Sequence, residues 1–94
     1  MKRLDVTMYR YRGDLKVDDL RELTKKFAVV GAAPGVLVHY TRLDGMGGFI
    51  VQETPEDPGK TFETIIQYAP WMEFEVIPVT TIEDSFPVIQ SLYG

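Results

Sequence analysis

The chain has 94 residues, with 10 Lys plus Arg, 14 Asp plus Glu, one His and no Cys. That length makes one domain, able to bury roughly 60–65% of its unfolded surface without covalent staples. The lack of Cys excludes a disulfide framework, a thiolate metal site and a Cys nucleophile, and the net charge of −4 speaks against a non-specific nucleic-acid binder, which needs a basic face for phosphates.

Leu4, Val6 and Met8 alternate with Asp5, Thr7 and Tyr9, which predicts a strand over residues 3–12. Gly13 and Asp14 break it. Val17, Leu20, Leu23, Phe27 and Val30 then recur three or four apart, the apolar stripe of a helix whose acids come first and lysines last, as the helix dipole favours. Gly31 and an Ala33–Pro34–Gly35 turn end it. A second strand follows over Val36 to Leu43. Asp44–Gly45–Met46–Gly47–Gly48 suits a tight hairpin into a third strand, Phe49 to Glu53. Asp57 can cap a second helix with Pro58 at its first position, an apolar stripe of Phe62, Ile65, Ile66 and Ala69, and Pro70 as its stop. Met72, Phe74 and Val76 alternate with Glu73, Glu75 and Ile77 in a fourth strand, and Pro78 assigns that strand to a sheet edge or a bulge. Residues 84–94 form a tail or a short helix capped by Asp84 or Ser85.

The order β-α-β-β-α-β predicts a single ferredoxin-like α+β domain over residues 1–94. Its sheet has four antiparallel strands in the spatial order 4-1-3-2, with two helices on one face. Alternation places Leu4, Val6, Met8, Val36, Val38, Phe49, Val51, Phe74 and Val76 toward the helices. The opposite face then carries Asp5, Thr7, Tyr9, Tyr11, Leu37, His39, Thr41, Ile50, Gln52, Glu73, Glu75 and Ile77. It is too apolar for a solvated face and too polar for a second core, so it is expected to be covered. Charge is unevenly spread: residues 1–47 sum to +3 and residues 48–94 to −7. The strand order sets Arg3, Arg10 and Arg12 near Glu73, Glu75 and Glu83, so internal neutralisation is expected ahead of a charged partner.

The element order, the hairpin LDGMGGFIVQE and the strand Phe74–Glu75–Val76–Ile77–Pro78–Val79 resemble the dimeric α+β barrel superfamily. Within it, the chain is most similar to a short bacterial family described only as a domain of unknown function. The resemblance spans Leu4 to Val79. It implies a homodimer packed sheet to sheet, with a pocket in each subunit. The superfamily includes cofactor-independent monooxygenases, haem-degrading enzymes and isomerases, but shares no catalytic set that could be carried over.

The candidate ligand-binding residues are Tyr9, Tyr11, His39 and Glu75. His39, the lone His, is the candidate acid or base near neutral pH, weighed against a surface or interface His with an ordinary hydrogen bond. The tyrosines could line a site for an aromatic ligand or pack an interface. Trp71 is expected to plug one end of the core. One His without helical ligand spacing makes no metal site, so neither metal nor cofactor is expected. The glycine run lacks a P-loop ending, and Ser85 and Ser91 lack an elbow motif. Tyr9 and Tyr11 loosely fit an RNA-recognition sheet, but GGFIVQE adds no second aromatic, so no nucleic acid is expected. No apolar run reaches membrane length and no secretory signal is visible, so a cytoplasmic protein without membrane contact is expected. The function expected is a non-catalytic binding or regulatory module for a small hydrophobic ligand or a protein. The alternative is a cofactor-independent enzyme on a small aromatic or hydrophobic molecule, with His39 as base beside Tyr9, Tyr11 and Glu75.

Overall fold

Alternating β-branched and aromatic residues build β1 (Leu4–Tyr11), and the three- and four-residue apolar spacing builds α1 (Val17–Val30). They are followed by β2 (Val36–Thr41), β3 (Gly47–Glu53), α2 (Pro58–Tyr68), β4 (Met72–Val79) and α3 (Ile82–Tyr93). The computed structural model describes residues 1–31 and 34–94, so the Ala33 part of the expected turn lies outside the described residues. The four strands form one antiparallel sheet in the order β2-β3-β1-β4, as the sequence pattern requires. Pro78 accordingly sits in an edge strand, where its missing N–H costs no ladder bond on the open side.

Local chemistry sets the boundaries. The Arg42 N–H donates to the Gly47 carbonyl and the Gly45 N–H to that of Arg42, at 2.8 and 3.0 Å. Gly45 turns at φ 74°, a left-handed conformation that a side chain would strain. The Asp44 carboxylate accepts from the Met46 N–H and from the Arg42 guanidinium. Those two contacts, the backbone one foremost, hold its carboxyl below the usual range. The strand after this turn starts at Gly47, two residues earlier than the hydropathy pattern suggests, so Gly47 and Gly48 lie inside the sheet. Asp57 caps α2 by accepting from the Gly59 N–H at 2.9 Å, with Pro58 in the first turn. The last segment is a 12-residue helix rather than a tail, and its cap is Thr81, not Asp84 or Ser85. The Thr81 hydroxyl accepts from the Asp84 N–H and frees Ile82 to start the helix.

The assignment of sheet faces is corrected by the register. Tyr9 pairs with Gly48 on one side and Phe74 on the other, and Thr7 pairs with Ile50 and Val76. Directly opposed residues share a face. The face toward α1 and α2 therefore carries Thr7, Tyr9, Tyr11, His39, Thr41, Ile50 and Gln52 with Met72 and Phe74. Leu4, Val6, Met8, Val38, Phe49 and Val51 point away from those helices, together with Tyr40, Glu73, Glu75 and Ile77. Val36 is on the helix side as expected, because a register irregularity between Val36 and Val38 resets the alternation of β2.

The two covering helices are joined at one end, where the buried Tyr68 hydroxyl donates to the Gly31 carbonyl at 3.2 Å. Arg12 locks the same end by donating from Nε to the Ala69 carbonyl. Trp71 is half-buried there with the Lys26 ammonium 5.5 Å over its ring. Between halves of opposite charge, one close ion pair forms among the described residues: Arg12 with Glu73 at 3.6 Å, both side chains well exposed. Such a surface pair adds little stability. The α2 cap supplies a direct check on the fold. Asp57→Ala should lower the unfolding free energy by about 1 kcal/mol, read as a lower urea midpoint with unchanged slope, and Asp57→Ser should recover most of it.

Candidate functional site

The layer between sheet and helices is not a filled core. It contains a cavity of about 740 Å³, open on one side, with the sheet as floor and α1 and α2 as walls. That volume falls within the range of small-molecule sites, roughly 300–1,000 Å³. The apolar stripe of α1 explains the gap: only Leu23 is buried, while Phe27 and Val30 line the open space instead of meeting the strands. Met72 and Phe74 of β4 continue the apolar wall, but of the expected α2 stripe only Ile65 joins it: Phe62 and Ile66 are exposed, and Lys60, Glu63, Thr64 and Gln67 line the cavity instead.

The floor is polar. Asp5, Thr7 and Gln52 are buried residues, yet their side chains make no hydrogen bond among the described residues. No buried side-chain nitrogen or oxygen there is sealed off without a partner, so their polar ends stay accessible. Thr7 and Gln52 open into this cavity, and Asp5 into a smaller cleft beside it with Phe62, Ile65 and Val76. Polar groups held ready on the floor of a largely apolar space suit a ligand that carries its own hydrogen-bonding group.

Tyr9 is the centrepiece of that floor. It is 7% exposed, and its hydroxyl lies 2.7 Å from His39 Nε2. The contact spans three strands, because Tyr9 is on β1, His39 on β2, and Gly48 of β3 lies between them. A Cβ at position 48 would meet the Tyr40 backbone carbonyl first and the Tyr9 hydroxyl next, at 2.6 Å, so glycine serves both the close approach of β2 and the ring that lies across the strand. Aromatic neighbours complete the wall: Tyr11 at 6.1 Å and Phe74 at 6.5 Å from the Tyr9 ring, and Phe27 at 6.4 Å from the His39 ring. Burial, and then the neighbouring Tyr11, push the Tyr9 hydroxyl above its ordinary value of 10.0, so it is protonated at neutral pH. When it donates to Nε2, its lone pairs are free for a ligand donor; when Nε2 carries the proton, the hydroxyl is free to donate to a ligand acceptor.

Of the four residues singled out from sequence, Tyr9, Tyr11 and His39 come together on this floor. Glu75 does not: it pairs with Met8 on the opposite face of the sheet. Phe27 and Tyr68 were legible only as helix residues, and Tyr68 lies three positions after Ile65, the spacing of one helix face. The signal for Thr7 and Gln52 was their shared alternation with Tyr9 and His39. Among the described residues no cluster of three His, Asp or Glu side chains could hold a metal ion, and no helix is long and apolar enough to cross a membrane.

Two measurements check this geometry. Gly48→Ala should push against both the β2 backbone at Tyr40 and the Tyr9 ring and so lower stability, while Tyr9→Phe, which leaves β2 in place, should break the contact with His39, visible as a shift of the His39 ring resonances that Tyr11→Phe does not reproduce. Tyr9 also gives a pH signature. Its pKa is raised in the folded state, so its contribution is complete below the unfolded value and is lost as pH rises through the folded one. Stability should decline above about pH 10. Tyr9→Phe should flatten that decline, leaving the part due to Tyr68, whose hydroxyl burial also raises; superimposable alkaline profiles would refute the assignment.

No curated protein sequence matches the chain. A family model does, over residues 7–93, and that span takes in the whole cavity floor from Thr7 onward as well as α3. The chain belongs to the family described as Domain of unknown function (DUF3303).

Proposed function

We propose that the protein is a homodimeric binding module whose cavity takes a small, largely apolar molecule bearing one hydrogen-bonding group. The observation that carries the reading is the cavity of about 740 Å³ between sheet and helices, apolar along α1 and β4, mixed along α2 and floored by Tyr9, His39, Thr7 and Gln52. A planar aromatic ligand suits walls made of Phe27, Tyr11 and Phe74, with its polar group set against the Tyr9 hydroxyl. The homodimer draws support from the outer sheet face, where Met8, Val38, Tyr40, Phe49 and Ile77 are exposed. A contiguous apolar face of that kind marks an interaction surface.

A second reading rests on the Tyr9–His39 contact. A His held by a tyrosine hydroxyl in a largely apolar cavity can take or return a proton, as a cofactor-independent enzyme on an aromatic substrate requires. Glu75, on the far side of the sheet, has no place in such a relay.

Binding is tested by calorimetry with a panel of small phenols, aromatic ketones and aromatic carboxylates. Micromolar binding to at least one class is expected. Tyr9→Phe should weaken it about 5- to 30-fold, the loss of one buried hydrogen bond. Ile50→Trp should abolish it by filling the floor, with the fold retained by circular dichroism. No binding by any class, or binding untouched by Ile50→Trp, counts against the cavity. Turnover of a bound compound that disappears in His39→Gln would favour the second reading. Light scattering at micromolar concentration should give twice the chain mass.

A further inference from the structure

Among the described residues, the C-terminal helix α3 is tied to its own chain through its first turn, where Asp84 accepts from the Lys2 N–H. None of its residues is buried: Phe86 is 53% exposed, Leu92 71% and Tyr93 86%, with Ile82, Val88 and Ile89 also open. Its acids, Glu83 and Asp84, are confined to the first turn, and Phe86 to Tyr93 carries no charge at all. One face of α3 carries Ile82, Phe86, Ile89 and Tyr93, while Glu83 and Gln90 lie together on another; a helix with such an apolar stripe is stable only with that stripe packed against something. The chain extends 55 Å along its longest axis with a radius of gyration of 16.0 Å, against about 12 Å for a compact domain of this length. Its accessible surface is 7049 Å², against about 5,500 Å² for a compact monomer of this mass.

We propose that α3 is an exchanged arm, seated against the β2 edge of a second copy of this chain beside the stacked sheets. The surface beyond the compact value, about 1,500 Å² per chain, is ample for the roughly 800 Å² per partner of a stable interface, even with part of it in the cavity mouth. The outer face continues directly into the arm, since Ile77 and Val79 of β4 precede Ile82 by a short connection. The Lys2 N–H donates to the Asp84 carboxylate and the Thr80 hydroxyl to the Lys2 carbonyl, which fix the start of α3 beside the start of β1 and the end of β4. Leu37, Val38, Tyr40 and Leu43 form the apolar surface at the opposite, β2 edge. A two-fold axis parallel to the strands and between two stacked sheets brings the β4 edge of one copy over the β2 edge of the other, so each arm meets that surface symmetrically. A membrane fits α3 less well: 12 residues are too short to span, and the helix has no Lys or Arg to meet anionic headgroups.

This rests on the homodimer proposed above, and two measurements separate the two ideas. Hydrogen exchange of the full-length chain is followed across protein concentration, and sedimentation equilibrium compares it with Ile89→Asp/Leu92→Asp in the arm and Met8→Asp/Phe49→Asp on the sheet. Amides of α3 should be protected only at concentrations where the dimer forms, and the arm variant should weaken the dimer by about tenfold or more. If the sheet variant is monomeric while the arm variant dimerises as tightly as the natural chain, and α3 exchange does not change with concentration, the exchanged arm is wrong and the dimer stands. A natural chain that stays monomeric throughout overturns both, as does α3 protection found equally in the monomer, which would place the helix on its own chain.

Discussion

The Tyr9 ring lies across Gly48 and ends on the His39 imidazole, and this single side chain links the three strands that floor the cavity. Its position has two prerequisites. Position 48 has to lack a Cβ, and Tyr9 has to sit on the central strand β1 with its side chain toward the helices. Given both, the alternation of a pleated strand decides the rest: Thr7 and Tyr11 join Tyr9 inside, and Leu4, Val6 and Met8 are turned out. The aromatic wall, the polar floor and the apolar outer face all follow from that one orientation.

The result reverses the usual arrangement of a small domain. From β1, the polar and aromatic Thr7, Tyr9 and Tyr11 lie between the layers, and the aliphatic Leu4 and Val6 with Met8 lie on the uncovered side. Among the described residues no side chain is completely shielded from solvent, and the most buried hydrophobics are the scattered Leu4, Tyr9, Leu23 and Tyr68. A core of that kind contributes little hydrophobic free energy, and hydrogen bonds such as Tyr68 to Gly31 and Arg12 to Ala69 fasten the helices at one end. The cavity is thus the consequence of a helix layer fixed at its end and held off the sheet by bulky aromatic side chains. The same imbalance leaves the outer face and α3 as apolar surface that water solvates poorly, which motivates placing both against a second copy.

The charge asymmetry has a more modest meaning. β1, with Arg10 in it and Arg3 and Arg12 beside its ends, is the neighbour of the acidic β4, so the +3 and −7 halves meet at that boundary. Among the described residues only Arg12 and Glu73 close to ion-pair distance there, and the other close pairs, Arg21 with Asp18, Arg42 with Asp44 and Lys60 with Glu63, are local in sequence. Strand order brings opposite charges to adjoining strands without making them a source of stability.

Local chemistry written in the sequence determined the elements and their order. Apolar spacing in Val17–Val30, the Asp57–Pro58 start of α2, the Gly-rich hairpin and the edge placement of Pro78 each act within a few residues, so each was legible without tertiary contacts. The strand order followed from connection rules. Which face of β1 looks inward did not, because alternation defines two faces but not which one a helix layer covers, and here hydropathy favours the wrong one. The register of β4 against β1, with Tyr9 opposite Phe74, was equally non-local, and it separated Glu75 from the site that Tyr9, Tyr11 and His39 share. Tertiary structure alone decided these points, since they depend on pairing between strands distant in the chain and on the space that Gly48 leaves for a ring from another strand.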